Sequence, residues 1–276
     1  MDKILVPIDF SKKSEYASKM AARIALKSKN TVYLLHMIEL PSGIIDMGAG
    51  SNFSIPESML YLRKVKDRIL EFKERFFGNI TEVHHAIRFQ KPYEGILSYA
   101  DKIKADLIIM GSKGHSDFEE ILIGSNTEKV VRRSKLPVIV VKKDAEKFRM
   151  KNLVFASSFK NGHKKEVFVK FLNFANHFKS EIHLLKVTTP SNFQSTHDAK
   201  ESVKSFIKEF TLPKYSINIY NDATIENGIL NFSREIDADL IALSTSARSG
   251  LAHLFSASVT KSLSKKALKP ILTIKA

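Results

Sequence analysis

Short apolar runs alternate along the chain with longer segments in which apolar residues recur at helical spacing. Such runs, bounded by polar turns, are typical of buried strands, and the longer segments are typical of amphipathic helices. A regular alternation of the two predicts a parallel sheet covered by helices on both faces. In the first half of the chain we predict strands near 3–8, 31–38, 82–89, 106–110 and 137–142, and helices near 12–28, 57–76, 93–104 and 125–134.

The second half repeats the same order of elements. Residues 1–10 align without gaps on residues 150–159, and residues 106–140 align without gaps on residues 239–273. We therefore predict a tandem duplication, with a first domain over 1–145 and a second over 149–276. The second half is predicted to hold strands near 151–156, 181–188, 215–220, 238–243 and 270–275, and helices near 162–179, 198–209, 223–236 and 258–267.

The two halves differ most after their second strands. The first half carries the Gly- and Ser-rich segment 41–56 at this point. A segment of this length without regular structure is usually functional or disordered. Its apolar residues Ile44, Ile45, Met47 and Phe53 are compatible with a lid or a packing arm, and a free linker is the alternative.

A glycine motif follows the fourth strand of the first half. The apolar run Leu107–Met110 leads into Gly111-Ser112-Lys113-Gly114, and Gly124-Ser125-Asn126 follows after a spacer of nine residues. Without a Cβ, the backbone at Gly111 and Gly114 can take a positive φ or approach a ligand closely. A helix that begins near Ser125 presents unpaired N–H groups and the positive end of its dipole. The combination predicts a phosphate-binding site, and nucleotide binding is the first hypothesis.

A carboxylate is expected on the other side of this site. If the strand order is 3-2-1-4-5, the first and fourth strands meet where the order reverses, which is where open parallel sheets bind ligands. The first strand ends in Pro7-Ile8-Asp9. Asp9 can accept hydrogen bonds from a ribose hydroxyl or an adenine amino group. The alternative is that Asp9 only caps the helix that begins near Ser11.

The segments Ile4–Ser11 and Leu34–Glu39 and the Gly111-x-x-Gly114-x9-Gly124-Ser125 spacing resemble the universal stress protein family, in its tandem two-domain form. The resemblance covers essentially the whole chain, and the glycine spacing of the first half is similar to that of the family's ATP-binding branch. It implies two α/β domains of the Rossmann-like, adenine nucleotide alpha hydrolase-like type, each with a five-stranded parallel sheet of order 3-2-1-4-5. By this resemblance the adenine and ribose would lie among Pro7, Ile8, Asp9 and Met37, and the phosphates among Met110, Gly111, Ser112, Gly114, Gly124, Ser125, Asn126 and Thr127.

The resemblance also implies pairing between last strands. Segments Val138–Val141 and Ile271–Ile274 would then pair within one molecule as an internal pseudo-dimer, and a further homodimer is left open.

The second half departs from the nucleotide motif at every diagnostic position. The same alignments place Ser244, Ala247 and Ala257 where Gly111, Gly114 and Gly124 stand, and Ser158 where Asp9 stands. A Cβ at close-approach positions crowds the phosphates, and the change at Ser158 removes the carboxylate. We therefore predict one nucleotide site per chain, in the first half.

Composition narrows the function further. No apolar run approaches the ~20 residues that a membrane-spanning helix needs, and no signal-peptide pattern is present, so we expect a cytoplasmic protein without a membrane partner. The absence of cysteine excludes disulfides, thiolate metal sites and thiol catalysis. The formal net charge of +15 favours contact with anions, although scattered lysines on solvated helix faces give the same total.

The resemblance, together with the glycine motif and Asp9, implies a protein that binds ATP, or AMP or ADP, and acts in regulation or stress adaptation. No carboxylate cluster for a metal is visible, so Mg²⁺ would arrive with the phosphates. No P-loop motif and no G-x-S-x-G motif occurs, and no RNP-like aromatic motif accompanies the basic charge, so nucleic acid is disfavoured. The alternatives are a slow ATPase or self-phosphorylating enzyme, and a nucleotide-free scaffold or nucleic-acid-binding protein. A protein partner is not identified.

Overall fold

The structure is a computed structural model that describes residues 1–39, 55–112, 124–144, 148–159, 165–245 and 269–275. Strands and helices alternate along both halves of the chain. The first half contains β1 (Lys3–Ile8), α1 (Lys12–Ser28), β2 (Thr31–Ile38), α2 (Ile55–Phe77), β3 (Val83–Phe89), α3 (Pro92–Ile103), β4 (Leu107–Gly111), α4 (Ser125–Arg133) and β5 (Val138–Val141). The second half contains β6 (Asn152–Ala156), α5 (Lys165–His177), β7 (Glu181–Thr188), α6 (Thr196–Ile207), β8 (Tyr215–Asn221), α7 (Ile225–Glu235), β9 (Leu240–Thr245) and β10 (Ile271–Lys275).

These bounds agree with the predicted ones to within a few residues. A short 3-10 turn over Pro190–Asn192 was not predicted. The helix expected near 258–267 and most of the segment 41–56 lie outside the described residues, whereas Ile55 and Pro56 begin α2.

All ten strands belong to one sheet, in the order β3-β2-β1-β4-β5-β10-β9-β6-β7-β8. Within each half the order is the predicted 3-2-1-4-5 and the pairs are parallel. The two five-stranded sheets expected for the domains are parts of one mixed sheet, because β5 and β10 pair antiparallel and join the halves. This is the pairing of last strands within one molecule that the resemblance implies. An unpaired edge leaves backbone N–H and C=O groups without partners, and this pairing satisfies them. The pairing places Ile139 opposite Leu272.

Helices cover both faces of the sheet. On one face α1, α2, α5 and α6 pack over a single apolar core that runs through both halves. On the other face α3 and α4 cover the first half, and α7 covers the second. No helix in the described part of the chain combines the length and apolar composition that crossing a bilayer requires.

Corresponding points of the two halves share unusual local geometry. Phe10 and Phe159, which follow β1 and β6, both take a positive φ, at 61° and 51°. Asp106 accepts hydrogen bonds from the backbone before and at the start of β1, and Asp239 does the same for β6. These correspondences repeat the sequence alignment in three dimensions.

Candidate functional site

A cavity of about 360 Å³ lies where the carboxyl ends of β1 and β4 meet. Its size falls within the range of about 300–1,000 Å³ that is usual for small-molecule sites. Because β1 and β4 are neighbours at the reversal of strand order, this is the position predicted for a ligand. The lining residues are Pro7, Ile8, Asp9, Ser11, Ser14, Leu35, Met37, Pro92, Ile96, Met110, Gly111, Gly124, Ser125, Asn126 and Thr127.

One wall of the cavity is the turn between β1 and α1. Asp9 is exposed, and its Oδ1 accepts a hydrogen bond from the Ser11 backbone N–H at 3.0 Å. The Ser11 hydroxyl in turn accepts from the Ser14 N–H at 3.2 Å and caps α1. Asp9 thus stabilises the start of the helix, which was the alternative role considered for it, and it also lines the cavity. A carboxylate has several acceptor sites, so one local hydrogen bond leaves capacity for a ligand.

The opposite wall is apolar. Leu35 and Met37 lie two residues apart on β2, and therefore on one face of the sheet, together with Ile96 of α3 and Met110 of β4. Gly95 of α3 lies directly against Met37. A Cβ added at Gly95 would stand 2.2 Å from the Met37 Cε, so only glycine allows α3 and Met37 to pack as they do.

The third side of the cavity is the beginning of α4. Gly124 occupies the cap position of this nine-residue helix and provides no side-chain hydrogen bond to it. Its backbone N–H donates to Ser112 O, and the Thr127 hydroxyl donates to Gly111 O at 2.9 Å. These two contacts fix the first turn of α4 against the end of β4. The helix therefore presents its positive dipole end to the cavity, which favours an anion there.

Most of the predicted ligand-contacting residues come together in this cavity: Pro7, Ile8, Asp9, Met37, Met110, Gly111, Gly124, Ser125, Asn126 and Thr127. Ser112 is not in the lining; it is buried, and its backbone N–H donates to Val141 O at 3.0 Å. Gly114 lies outside the described residues, as do Ala247 and Ala257 of the second half.

Sequence reasoning missed five lining residues. Ser11 was considered only as the start of the helix and Ser14 was not singled out, although both lie in the turn that follows Asp9. Leu35 could have been predicted, because residues two apart on a strand face the same side and Met37 was already placed in the site. Pro92 and Ile96 lie on α3, and no motif indicates which helix face closes over the sheet edge.

His36 lies on β2 beside the Asp9 turn. Its Nδ1 donates to Ile8 O at 2.9 Å, and its ring contacts that of Phe10 at 4.7 Å between centroids. Burial lowers the pKa of His36, and the Ile8 hydrogen bond and the Asp9 charge offset only part of that effect. The guanidinium group of Arg68, on α2, lies over the Phe10 ring, with its Cζ 4.3 Å from the ring centroid. The aromatic packing thus connects α2 to the turn that carries Asp9.

Two lysines approach the far side of Gly111. Lys13 Nζ donates to the backbone carbonyl of Lys142, at 2.9 Å, directly after β5. The Lys142 side chain is itself buried, and burial together with the Lys13 charge lowers its pKa to about 8.

Among the residues that the structure describes, no group of three or more His, Asp or Glu side chains is arranged to hold a metal ion.

Comparison with known proteins matches residues 1–142 and 221–275 to the universal stress protein family. Universal stress proteins MJ0577 and MJ0531 of Methanocaldococcus jannaschii are each 32% identical, over 157 and 147 residues. Each match spans 51% of this chain, and 94% and 82% of the respective relative. The crystal structure of a universal stress protein from Archaeoglobus fulgidus is similar over 99% of this chain and 98% of that chain, with a TM-score of 0.72 and 19% identity, a likeness of fold.

Proposed function

The chain belongs to the universal stress protein family, and from this premise we propose that it binds one adenine nucleotide in the cavity of its first half and acts as a regulatory or stress-adaptation protein. The observation that carries the proposal is the composition of that cavity. An apolar wall, an exposed carboxylate and the start of a helix face one space of about 360 Å³. A base, a ribose and a phosphate chain require these three chemistries.

In this proposal the adenine ring packs against Met37 and Ile96. Asp9 accepts hydrogen bonds from the ribose hydroxyls or the adenine amino group. The phosphates lie at Gly124–Thr127, where the first turn of α4 offers the backbone N–H groups of Ser125, Asn126 and Thr127. ATP is the proposed ligand, with AMP and ADP as alternatives. Because the described residues lack a metal cluster, Mg²⁺ would be held mainly by the phosphate oxygens.

We also propose a tandem arrangement with a single working site, in domains that span 1–145 and 149–276. Support comes from the shared strand order and from residue differences at corresponding positions. Ser158 stands where Asp9 does, and Val187 of β7 stands where Met37 does, so the second half has neither the carboxylate nor the long apolar side chain.

Isothermal titration calorimetry with ATP and AMP tests the site. Wild-type protein should bind with one nucleotide per chain, and Asp9→Ala should weaken binding by about tenfold to a hundredfold, as expected for loss of a charge-assisted hydrogen bond. Ser158→Ala is the matched control and should bind as the wild type does. Because Asp9 also bonds Ser11, thermal unfolding must show that the variant is folded. Equal loss in both variants, or two nucleotides per chain, would contradict the single-site proposal.

Two further measurements separate the competing functions. Nucleotide released from the purified protein on denaturation, and identified by mass, should be an adenine nucleotide. Turnover of labelled ATP should be no greater in the wild type than in an Asp9→Ala, Gly114→Val double variant. Turnover lost in that variant would make the protein an enzyme. Steeply salt-dependent binding of a duplex oligonucleotide without ATP binding would indicate a nucleic-acid-binding protein.

A further inference from the structure

The strand β3 forms one outer edge of the ten-stranded sheet. In the described part of the chain it pairs with β2 alone. The Val32 N–H donates to Glu82 O at 2.9 Å, so the backbone groups of even-numbered residues here face β2. Backbone groups alternate in direction along a strand, so the N–H and C=O groups of His85, Ile87 and Phe89 point away from the sheet. The edge therefore offers a row of donors and acceptors to an added strand.

A basic and apolar stripe of α2 runs beside this edge. Lys66, Leu70 and Lys73 follow each other at helical spacing on one side of α2, which packs against β3. Leu70 is 42% exposed, and Phe89 at the end of β3 is 50% exposed. The acidic residues of α2 in this region, Asp67, Glu71 and Glu74, lie one position further round the helix.

The charges of this stripe act on the strand itself. Burial lowers the pKa of His85, and the charges of Lys73, Lys66 and His84 lower it further. The side chains of Lys66 and Lys73 therefore lie close enough to β3 to act on His85.

The opposite edge of the sheet provides an internal comparison. β8 holds the same place in the second half, and Ile219 is paired with β7 in the way that Ile87 is paired with β2. The β8 sequence, Tyr-Ser-Ile-Asn-Ile-Tyr-Asn, contains no charged residue. The strand β3 carries His84, His85 and Arg88, so the two edges differ in the strands themselves, although Lys204 of α6 and Lys208 directly after it lie beside Tyr215 at the β8 edge.

We propose that the β3 edge and the Lys66, Leu70 and Lys73 stripe dock an extended acidic segment of a partner protein, which adds to the sheet as a further strand. Main-chain hydrogen bonds to His85, Ile87 and Phe89 supply the pairing, and the lysines select acidic side chains. The net charge of +15 acts in the same direction, because it favours an acidic partner over a second copy of this chain. The inference is independent of the nucleotide site.

A fluorescently labelled peptide of about ten residues, alternating Glu with Val, is the probe for anisotropy titration. Ile87→Pro removes an outward N–H donor, whereas Ile87→Ala removes the same side chain and keeps the donor. We expect Ile87→Pro to bind about tenfold more weakly than Ile87→Ala. Ile219→Pro is the matched control on the other edge and should bind as the wild type does. Equal binding by Ile87→Pro and Ile87→Ala, or equal weakening by Ile219→Pro, overturns the proposal.

Two readouts distinguish strand addition from general attraction between charges. Hydrogen exchange should slow at the amides of His85, Ile87 and Phe89 when the peptide binds. A Lys66→Glu, Lys73→Glu double variant should reverse the preference, binding a Lys-Val peptide better than the Glu-Val peptide. A rise in anisotropy without slower exchange on β3, as nonspecific adhesion would give, also overturns the proposal. Displacement of the peptide by a single-stranded oligonucleotide, from the wild type and from the double variant alike, would indicate nonspecific binding and would also overturn the proposal.

Discussion

Gly111 is the last residue of β4 and lies in close contact with the backbone of Lys13, in the first turn of α1. A Cβ at this position would stand 2.7 Å from both the carbonyl carbon and the carbonyl oxygen of Lys13. These are backbone atoms, so they can move only if the turn that carries Ser11 and Ser14 moves with them. A glycine is therefore needed here for the packing of β4 against α1, in addition to any role in ligand binding.

Gly111→Ala should lower the free energy of unfolding by about 1–3 kcal/mol, because overpacking against backbone forces the first turn of α1 outward. Nucleotide affinity should fall in the same variant, since that turn lines the cavity. Urea unfolding and calorimetry measure the two effects. Ser244→Ala, at the aligned position that already carries a Cβ, is the control and should change neither. Unchanged stability in Gly111→Ala would mean that the contact is not needed.

Lys142 shows how one buried charge makes stability depend on pH. Its side chain is 6% exposed, and its pKa falls from 10.5 to about 8. Below pH 8 the lysine is charged in both states, and burying the charge destabilises the folded state. Between pH 8 and 10.5 the unfolded chain binds the proton more strongly, so that cost is relieved and stability rises with pH.

We expect Lys142→Met to raise the free energy of unfolding by about 1–3 kcal/mol at pH 7, because it removes a desolvated charge. The advantage over wild type should shrink as the pH rises from 8 to 10.5. Urea unfolding of both proteins at pH 7, 9 and 10 measures the difference. An advantage that is the same at pH 7 and pH 10 would assign the effect to packing and not to charge.

At the scale of elements, α3 and α7 each pack a glycine against the second strand of their own half. A Cβ at Gly95 would stand 2.2 Å from the Met37 Cε, and one at Gly228 would stand 2.5 Å from a Val187 methyl carbon. The neighbours differ in stiffness. Methionine is flexible and can move its end group, whereas valine is β-branched and has restricted rotamers.

Gly95→Ala and Gly228→Ala should therefore have opposite effects. Gly95→Ala should change stability by less than about 1 kcal/mol, because Met37 can yield and alanine favours the helix, but the displaced Met37 should weaken nucleotide binding. Gly228→Ala should cost about 1–3 kcal/mol and leave nucleotide affinity unchanged. Thermal unfolding and calorimetry on both variants provide the comparison. A loss of affinity in Gly228→Ala would place a ligand in the second half.

At the scale of the whole molecule, the pairing of β5 with β10 makes the two halves one structural unit. Ile139 of β5 is fully buried and lies opposite Leu272, in the core that both halves share. The Thr273 hydroxyl donates to Val138 O at 3.1 Å across the same junction. Disturbing this junction therefore affects both halves.

Ile139→Ala should lower the free energy of unfolding by about 2–5 kcal/mol, and Ile139→Val by about 0.5–1.5 kcal/mol. The second change costs less because valine loses fewer contacts and leaves a smaller cavity than alanine does. Both variants should unfold in a single transition when circular dichroism is compared with pulsed hydrogen exchange of each half. Protection that persists in residues 165–245 after the first half has exchanged would show that the halves unfold separately.

Local patterns were sufficient for the elements and for much of the candidate site. The helix that begins near Ser11 and the strand spans follow from short-range spacing, and the structure confirms them to within a few residues. Asp9, Gly111 and Gly124 were found because each follows or precedes a recognisable element. Pro92 and Ile96 were missed, because residues on a helix reach the cavity only through the way that the helix packs on the sheet.

The sequence by itself determined the order of elements, the repeat of that order in the second half and the difference between the halves at Asp9 and Ser158. These depend on residue types at fixed positions along the chain. Only the tertiary structure decided that β5 and β10 pair antiparallel, that Lys142 is buried and that Gly95 makes room for Met37. Each of these depends on contacts between residues far apart in sequence, and no local pattern records which surfaces meet.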